Sequence, residues 1–370
     1  MDGVYTGEGR GFNLTQKVQV TVEIKDGKIV SVTVGDNGET MDMIAAVEEK
    51  WIPRVVENQS LAVDAICGAT ASSNGVRAAV VNALESAGMD VSGMYKAIPK
   101  VNAAEEYNVD VVVVGMGSSG TTAALAAAES GANVLAIDKA GKWGGTGVTT
   151  SGPANVNAPS QVASEIVDWK DPNNGVHTQA AGEQLVDADA LYATWTDYTT
   201  VDGAQGAKPE LIAKVIYESG ETCDWLQSYG FEFTPAVGFV GGKWAIFSSY
   251  VGQKQLTESF FAKAYDRYTE MGGQYLLETE ATELIMQDGK AVGVRAIKAD
   301  GTSVTINAKA VILCTGGFAV SDEMQEKYIG QAYKLFGMST NDGKMLESAI
   351  ENGAATRAIG LYPMSHSVAP

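Results

Sequence analysis

The chain has 370 residues, 45% of them apolar, which suits two or three domains with real cores. A formal charge of −19 argues against a protein that grips nucleic-acid phosphates or an anionic membrane. With only His177 and His366, and with Cys67, Cys223 and Cys314 far apart and outside any CxxC or CxxCH, zinc sites and attached c-type haem are excluded too.

Residues 1–88 read as a small separate domain. Residues 18–24 (VQVTVEI) and 29–34 (IVSVTV) alternate apolar and polar positions, with Asp26-Gly27 between them as a hairpin turn. A helix is expected over residues 41–57, with a break at Pro53. Next come Asp64-Ala65-Ile66-Cys67-Gly68-Ala69-Thr70 and Ala71-Ser72-Ser73-Asn74. A second helix is expected over residues 75–87, with Val76, Val80 and Leu84 on one face. Local chemistry alone makes Ala71-Ser72-Ser73-Asn74 its cap. The amides of Asn74 and Gly75, at the expected helix start, are then placed to meet a phosphate. Residues 89–108 have no sustained period, contain Pro99 and read as a linker.

The strongest local signal is residues 110–138. Four unbroken valines, Val111 to Val114, fit a strand buried on both faces of a parallel sheet. Gly115-Met116-Gly117-Ser118-Ser119-Gly120 is a GxGxxG turn, followed by an alanine-rich helix that Gly131 ends. A second strand over residues 133–137 closes on Asp138. Such a unit binds a dinucleotide, with the pyrophosphate on the helix N-terminus and the acid on ribose hydroxyls. The competing reading is a glycine-rich turn in an ordinary α/β fold.

Residues 139–157 are rich in Gly, Thr and Ser, and Gly144-Gly145-Thr146 suits a loop that wraps a cofactor. Residues 160–250 hold Trp169, Trp195, Trp225 and Trp244 and a helical stretch over 210–229; they read as the start of an inserted capping segment whose aromatic residues serve packing. Residues 256–317 return to an α/β pattern. A helix is expected over 256–271 and strands follow, punctuated by Asp288-Gly289 and Asp300-Gly301. Separate strands are expected near 303–306 and 310–314, the last running into Thr315-Gly316-Gly317.

Two resemblances follow. YTGEGRGF, the hairpin and DAICGAT-x-SS are similar to the FMN-binding domain also found in sodium-pumping quinone reductases. That resemblance implies FMN joined by a phosphoester to Thr70, with Asp64, Gly68 and Ala69 as motif neighbours. Cys67 stands where the family usually has Ser or Thr. VDVVVVGMGSSG, AIDK, GGTGVTTSG, TEATELI, VILCTGGF and NDG-x-x-M resemble the FAD-binding domain of the fumarate reductase and succinate dehydrogenase flavoproteins. The likeness is greatest to soluble, FMN-fused fumarate, urocanate and other 2-enoate reductases. It implies an FAD site lined by Gly115, Gly117, Ser119, Gly120, Asp138, Lys139, Gly144, Gly145, Thr146, Ala281, Thr315, Gly316, Gly317 and Asp342.

The expected fold class is therefore α/β. A small α+β FMN-binding domain (1–88) and a linker (89–108) precede a Rossmann-like FAD-binding domain (109–160 and 256–370), with an inserted capping segment over 161–255. The resemblance implies a two-flavin oxidoreductase acting on CH–CH bonds. Hydride passes from reduced flavin to an alkene activated by a carboxylate; an arginine donates the proton, and Arg and His residues clamp the carboxylate. The chain's arginines are Arg10, Arg54, Arg77, Arg267, Arg295 and Arg357, and none stands in the family's proton-donor motif. Tyr362 and His366 are the candidate substrate contacts, and a fragment or one piece of a split flavoprotein is expected. Expected partners are a small enoate, an electron-donor protein or quinol-linked partner, and a flavin transferase; no nucleic acid is expected. An exported or cell-envelope location is expected, with a cytoplasmic one open. Rival readings are a ketosteroid-type desaturase, a non-catalytic flavin electron carrier, and a nicotinamide dehydrogenase that the Thr315-Gly316-Gly317 return disfavours.

Overall fold

The computed structural model describes residues 2–150, 152–171, 175–201, 203–238, 243–251, 261–333 and 340–360. The chain forms two compact units: Met1–Gly147 with Tyr268–Pro370, and Val148–Arg267.

In the first unit, β1 (Gly3–Gly9), β2 (Val18–Lys25) and β3 (Lys28–Val34) form an antiparallel sheet in that order. The β2–β3 turn is Asp26-Gly27, with φ of 51° and 70°, the left-handed pair that matches the twist of a two-residue hairpin. Val18, Val20, Val22 and Ile24 of β2 point into the core, as the alternation requires. β1 was not legible as a strand, because glycine occupies three of its positions. Those glycines serve close packing. A Cβ on Gly7 or Gly9 would run into the backbone of α3 (Thr70–Ser86) at Ala79 and Gly75. Strand and helix therefore touch backbone to backbone.

The expected break at Pro53 is absent. α1 (Met41–Ala46) runs through a π turn (Val47–Trp51) into α2 (Ile52–Asn58), with the Ile52 amide bonded to Val47 O. The widened turn directly before Pro53 accommodates a residue that lacks an N–H and crowds the preceding turn. Trp51 is thereby kept at the centre of the core, beside Leu61, Ile66, Val80 and Leu84.

The linker reading of residues 89–108 needs correction at its end. β4 spans Ala104–Val114, so residues 104–108 already belong to the strand. Their polar side chains disguise it, but β9 (Ser303–Leu313) pairs with them in parallel. α4 (Ser118–Glu129), β5 (Val134–Ile137), β6 (Gln274–Leu276), β7 (Thr279–Gln287) and β8 (Lys290–Lys298) complete the sheet around them. Its order is β6-β5-β4-β9-β8-β7, parallel from β6 to β9 and antiparallel through β8 and β7. The two strands expected near residues 303–306 and 310–314 are one continuous strand, β9. From β4 the sheet grows in both directions, so a crevice opens at its carboxyl end, where such sheets bind ligands. α5 (Asp322–Ile329) and α6 (Lys344–Glu351) follow.

The second unit has its own core of Val156, Val186, Leu191, Ile212 and Ile216, against which Trp195 and Trp244 pack. Two helices, Ala188–Tyr198 and Pro209–Ser228, supply most of it. Strands Ile166–Asp171, which carries Trp169, and Gly175–Gln179 pair antiparallel. Trp225 meets Tyr229 edge-on at 5.2 Å. The helix expected over 256–271 is described only as Ala262–Glu270; residues 252–260 lie outside the described residues.

Candidate functional site

β4 ends at Val114, and the chain turns through Gly115-Met116-Gly117 into α4. The three glycines of the turn do different work. Gly115 has φ +96°, and a Cβ there would collide with the Cys314 carbonyl. A Cβ on Gly120 would strike the Gly115 carbonyl, so that glycine lets α4 lie against β4. Gly117 differs: its Cβ would sit 3.7 Å from Gly144 O, an ordinary contact. The protein itself does not require glycine at 117; in such turns the second glycine is the one that lets a pyrophosphate approach the backbone. Thr121 is the first amide of α4 to bond back, to Gly117 O at 2.9 Å. The amides of Ser118, Ser119 and Gly120 before it form the open, positive end of the helix, which fits a pyrophosphate.

Asp138 closes the other side. Its Oδ2 accepts from the Met116 amide at 2.7 Å and its Oδ1 from the Ala140 amide at 2.8 Å. Burial pushes its carboxyl above the ordinary range, opposed by those two donors and by the Lys139 charge. Asp138 therefore locks the glycine turn to the end of β5, and its remaining lone pairs can take ribose hydroxyls. Lys139 Nζ donates to Asp342 Oδ2 at 2.7 Å. Burial raises the Asp342 carboxyl, but the hydrogen bond and charge of Lys139 outweigh it and hold the group low.

The remaining predicted residues gather at the same carboxyl ends. The Gly144 amide donates to Met116 O at 2.8 Å, and Gly145 sits against Gly117. The Cys314 amide donates to Val114 O at 2.7 Å, bringing Thr315, Gly316 and Gly317 beside Gly115. A Cβ on Gly316 would come 2.7 Å from Asn341 Oδ1, whereas one on Gly317 would meet nothing within 4 Å. Gly317 faces open space, so the packing of the protein does not require glycine there. Asn341 also donates to Thr146 Oγ1 at 3.3 Å, tying the two loops together. Ala281 is buried in β7, and a bulge at Thr282 follows it. Its neighbour Glu280 pairs with Lys344 at 2.5 Å. Tyr362 and His366 lie outside the described residues.

The FMN motif sits at the start of α3. That helix begins at Thr70, five residues before the expected start, and Ala69, its N-cap, makes no side-chain cap bond. The capping reading of Ala71-Ser72-Ser73-Asn74 is thereby corrected. Ser73 Oγ accepts from the Ile66 amide at 3.1 Å and Ser72 Oγ donates to Glu39 at 2.5 Å, so both hydroxyls are used in tertiary contacts. Asn74 and Gly75 are likewise not at the helix start. Ser73 N already bonds Ala69 O, which leaves the amides of Thr70, Ala71 and Ser72 for an anion. Thr70 is exposed. Gly68 has φ +84° and Ala69 is buried, so the turn before Thr70 is shaped by both. Asp64 is drawn elsewhere, to an exposed ion pair with Lys100 at 3.0 Å. Cys67 faces the other flavin motif: its carbonyl accepts from the Gly141 amide at 3.0 Å. Burial, more than any nearby charge, pushes the Cys67 thiol up, so it is a packed neutral group.

A mixed sheet with a parallel centre, whose glycine turn, acidic strand end and returning Thr315–Gly317 loop converge on one helix N-terminus, defines a dinucleotide-binding α/β protein. Within that class the chain belongs to the FAD binding domain family, whose model matches residues 110–365, and residues 11–85 match the FMN-binding domain. The chain thus carries one domain for each flavin. It is 30% identical over 369 residues to the NADH:acrylate oxidoreductase of Vibrio harveyi, covering 88% of this chain and 36% of that protein. It is 29% identical over 330 residues to the urocanate reductase of Eggerthella lenta, covering 87% and 50%. The chain therefore spans between about a third and a half of these relatives. The open conformation of a flavocytochrome c3 fumarate reductase shares the fold, with a TM-score of 0.53 at 22% identity over 72% of this chain and 46% of that one.

Two residues with clear roles, Glu39 and Glu278, gave no sequence signal. Glu39 is buried and accepts from the amides of Phe12 and Asn13 as well as from Ser72, so it pins the Arg10–Asn13 loop to the first turn of α3. Glu278 is bonded to Arg54, 224 positions away. Neither has a local spacing to betray it; each is defined by a contact distant in sequence.

Proposed function

We propose that this chain is the flavin-binding part of a two-flavin reductase that adds hydrogen across an activated carbon–carbon double bond. Electrons enter at FMN on Thr70 and pass to FAD at the β4–α4 turn. The observation that carries the reading is the hydrogen bond from Gly141 N to Cys67 O, which sets the loop before Thr70 against the loop after Asp138. The names of the relatives, which reduce acrylate and urocanate, support an unsaturated acid as substrate.

FAD, when bound, supplies the hydride for the alkene; with one proton added, two electrons and two protons turn C=C into the saturated acid. The protein's part is placement. The open amides of Ser118, Ser119 and Gly120 hold the pyrophosphate, Asp138 and Lys139 border the ribose, and Gly117 and Gly317 keep the approach clear. Thr70 supplies the hydroxyl for the FMN phosphoester, with a flavin transferase as the attaching partner. Tyr362 and His366 are the candidate substrate contacts. The electron source is a donor protein or a quinol-linked partner.

The test is stopped-flow reoxidation of a dithionite-reduced, full-length, two-flavin form by acrylate, fumarate and urocanate. Rapid reoxidation by at least one is expected. If every enoate leaves the flavins reduced, the proposal is wrong.

A further inference from the structure

The small domain and the FAD-binding sheet meet through a charged cluster that neither nucleotide site requires. Glu278 lies between β6 and β7. Its two carboxylate oxygens accept from Arg54 of α2 at 2.8 and 2.7 Å. Lys50 stands 3.5 Å from Glu278 and donates to Gly141 O at 2.8 Å. The Gly141 amide donates in turn to Cys67 O, and a Cβ on Gly141 would collide with the Ile66 side chain. One short loop after β5 is thus held on both its carbonyl and its amide by the segments that lead to Thr70.

The backbone at Glu278 is informative. Its φ is +52°, a left-handed conformation that glycine or asparagine adopts at less cost. Its amide bonds Ala140 O at 2.9 Å and its carbonyl takes the Ala299 amide at 2.8 Å. Glycine would satisfy all of that without strain; what it lacks is the carboxylate. Burial raises that carboxyl, but the Arg54 hydrogen bond and the Lys50 charge outweigh burial and keep it ionised. The two-pronged Arg54 contact fixes orientation as well as attraction. In the flanking pairs Lys142–Glu49 and Lys100–Asp64 the carboxylate is far more exposed than that of Glu278, and these pairs contribute little.

We infer that Glu278, Arg54 and Lys50 form a latch that docks the Thr70-bearing domain on the loop after Asp138, making Glu278 and Arg54 positioning residues for electron passage between the two flavin sites. The consequence for electron passage rests on the two-flavin reading. The latch is a property of the polypeptide and is tested without flavin chemistry.

The test is hydrogen exchange of the Gly141 amide in the full chain, because that N–H is bonded across the boundary. Arg54→Glu should lower its protection by about tenfold or more, since a charge-assisted pair is lost and a repulsion is introduced. Combining Arg54→Glu with Glu278→Arg should restore most of the protection. Glu278→Gly guards against simple misfolding: it relieves the left-handed strain, so the melting temperature should hold or rise while Gly141 protection falls. Unchanged protection in both Arg54→Glu and Glu278→Gly overturns the latch. In the flavin-loaded chain, the same variants should slow FMN-to-FAD transfer, and the reversed pair should recover it. Lost protection with an unchanged transfer rate overturns the positioning role and leaves the two-flavin reading standing. Absence of any transfer in the wild type overturns that reading and the positioning role with it, while amide exchange still decides the latch.

Discussion

The Cys67 carbonyl and the Gly141 amide are joined at 3.0 Å, three residues before Thr70 on one chain segment and three after Asp138 on the other. One backbone hydrogen bond therefore ties the segment before Thr70 to the loop after β5. The separation in sequence is large, so only the fold creates this proximity. Several consequences of this contact and of the proposal above can be measured.

The two turn glycines should respond oppositely to alanine. Gly120→Ala forces a Cβ into the Gly115 carbonyl, and overpacking of this kind costs about 1–3 kcal/mol. Gly117 has φ −78° and ordinary space around a Cβ, so Gly117→Ala should leave stability unchanged or raise it by about 0.4–1 kcal/mol. FAD affinity should fall in Gly117→Ala by about tenfold or more, because the new methyl stands where the pyrophosphate approaches. Thermal unfolding of the apoproteins and FAD titration separate the two effects. Equal FAD affinity in Gly117→Ala and wild type would remove the ligand argument for that glycine.

Thr70 is exposed at the first position of α3, so changing it should barely disturb the fold. Thr70→Ala should shift stability by no more than about 0.5 kcal/mol while abolishing covalent flavin. Thr70→Ser keeps the hydroxyl and should keep the flavin. Peptide mass spectrometry after co-production with a flavin transferase reads both.

Packing of β1 on α3 holds the helix that begins at Thr70 in place. Gly7→Ala or Gly75→Ala should destabilise the small domain by about 1–3 kcal/mol, since each Cβ meets backbone and not a movable side chain. Denaturant unfolding followed by Trp51 fluorescence measures this, because Trp51 is fully buried in that core.

The latch also predicts a pH dependence. The folded Glu278 carboxyl titrates below its ordinary 4.5, so its contribution to stability is fully present above 4.5 and is lost as pH falls through the lower folded value. The melting-temperature gap between wild type and Glu278→Gln should thus hold at neutral pH and shrink on acidification below about 4.5. A gap that widens in acid would contradict the ion-pair account.

What the sequence made legible was whatever a short period or a local motif encodes. The valine run, the GxGxxG turn and Asp138 marked the nucleotide unit, and Asp26-Gly27 marked the hairpin. β1 stayed hidden because its glycines answer to a helix roughly seventy positions away and mimic loop composition. The start of α3 was misplaced because Ala71-Ser72-Ser73-Asn74 resembles a cap, while the hydroxyls of Ser72 and Ser73 answer to Glu39 and Ile66. Residues 104–108 looked like linker because their side chains are polar, although the backbone pairs with β9. Glu278 and Arg54 are 224 positions apart, and no local pattern links them.

The account stands most directly on flavin partition. Protein produced with a flavin transferase and supplied with FAD should be precipitated with acid and both fractions assayed. One FMN per chain retained in the pellet on Thr70, and one FAD released to the supernatant, is the predicted result. All flavin in the supernatant, or a pellet flavin that survives Thr70→Ala, would contradict it.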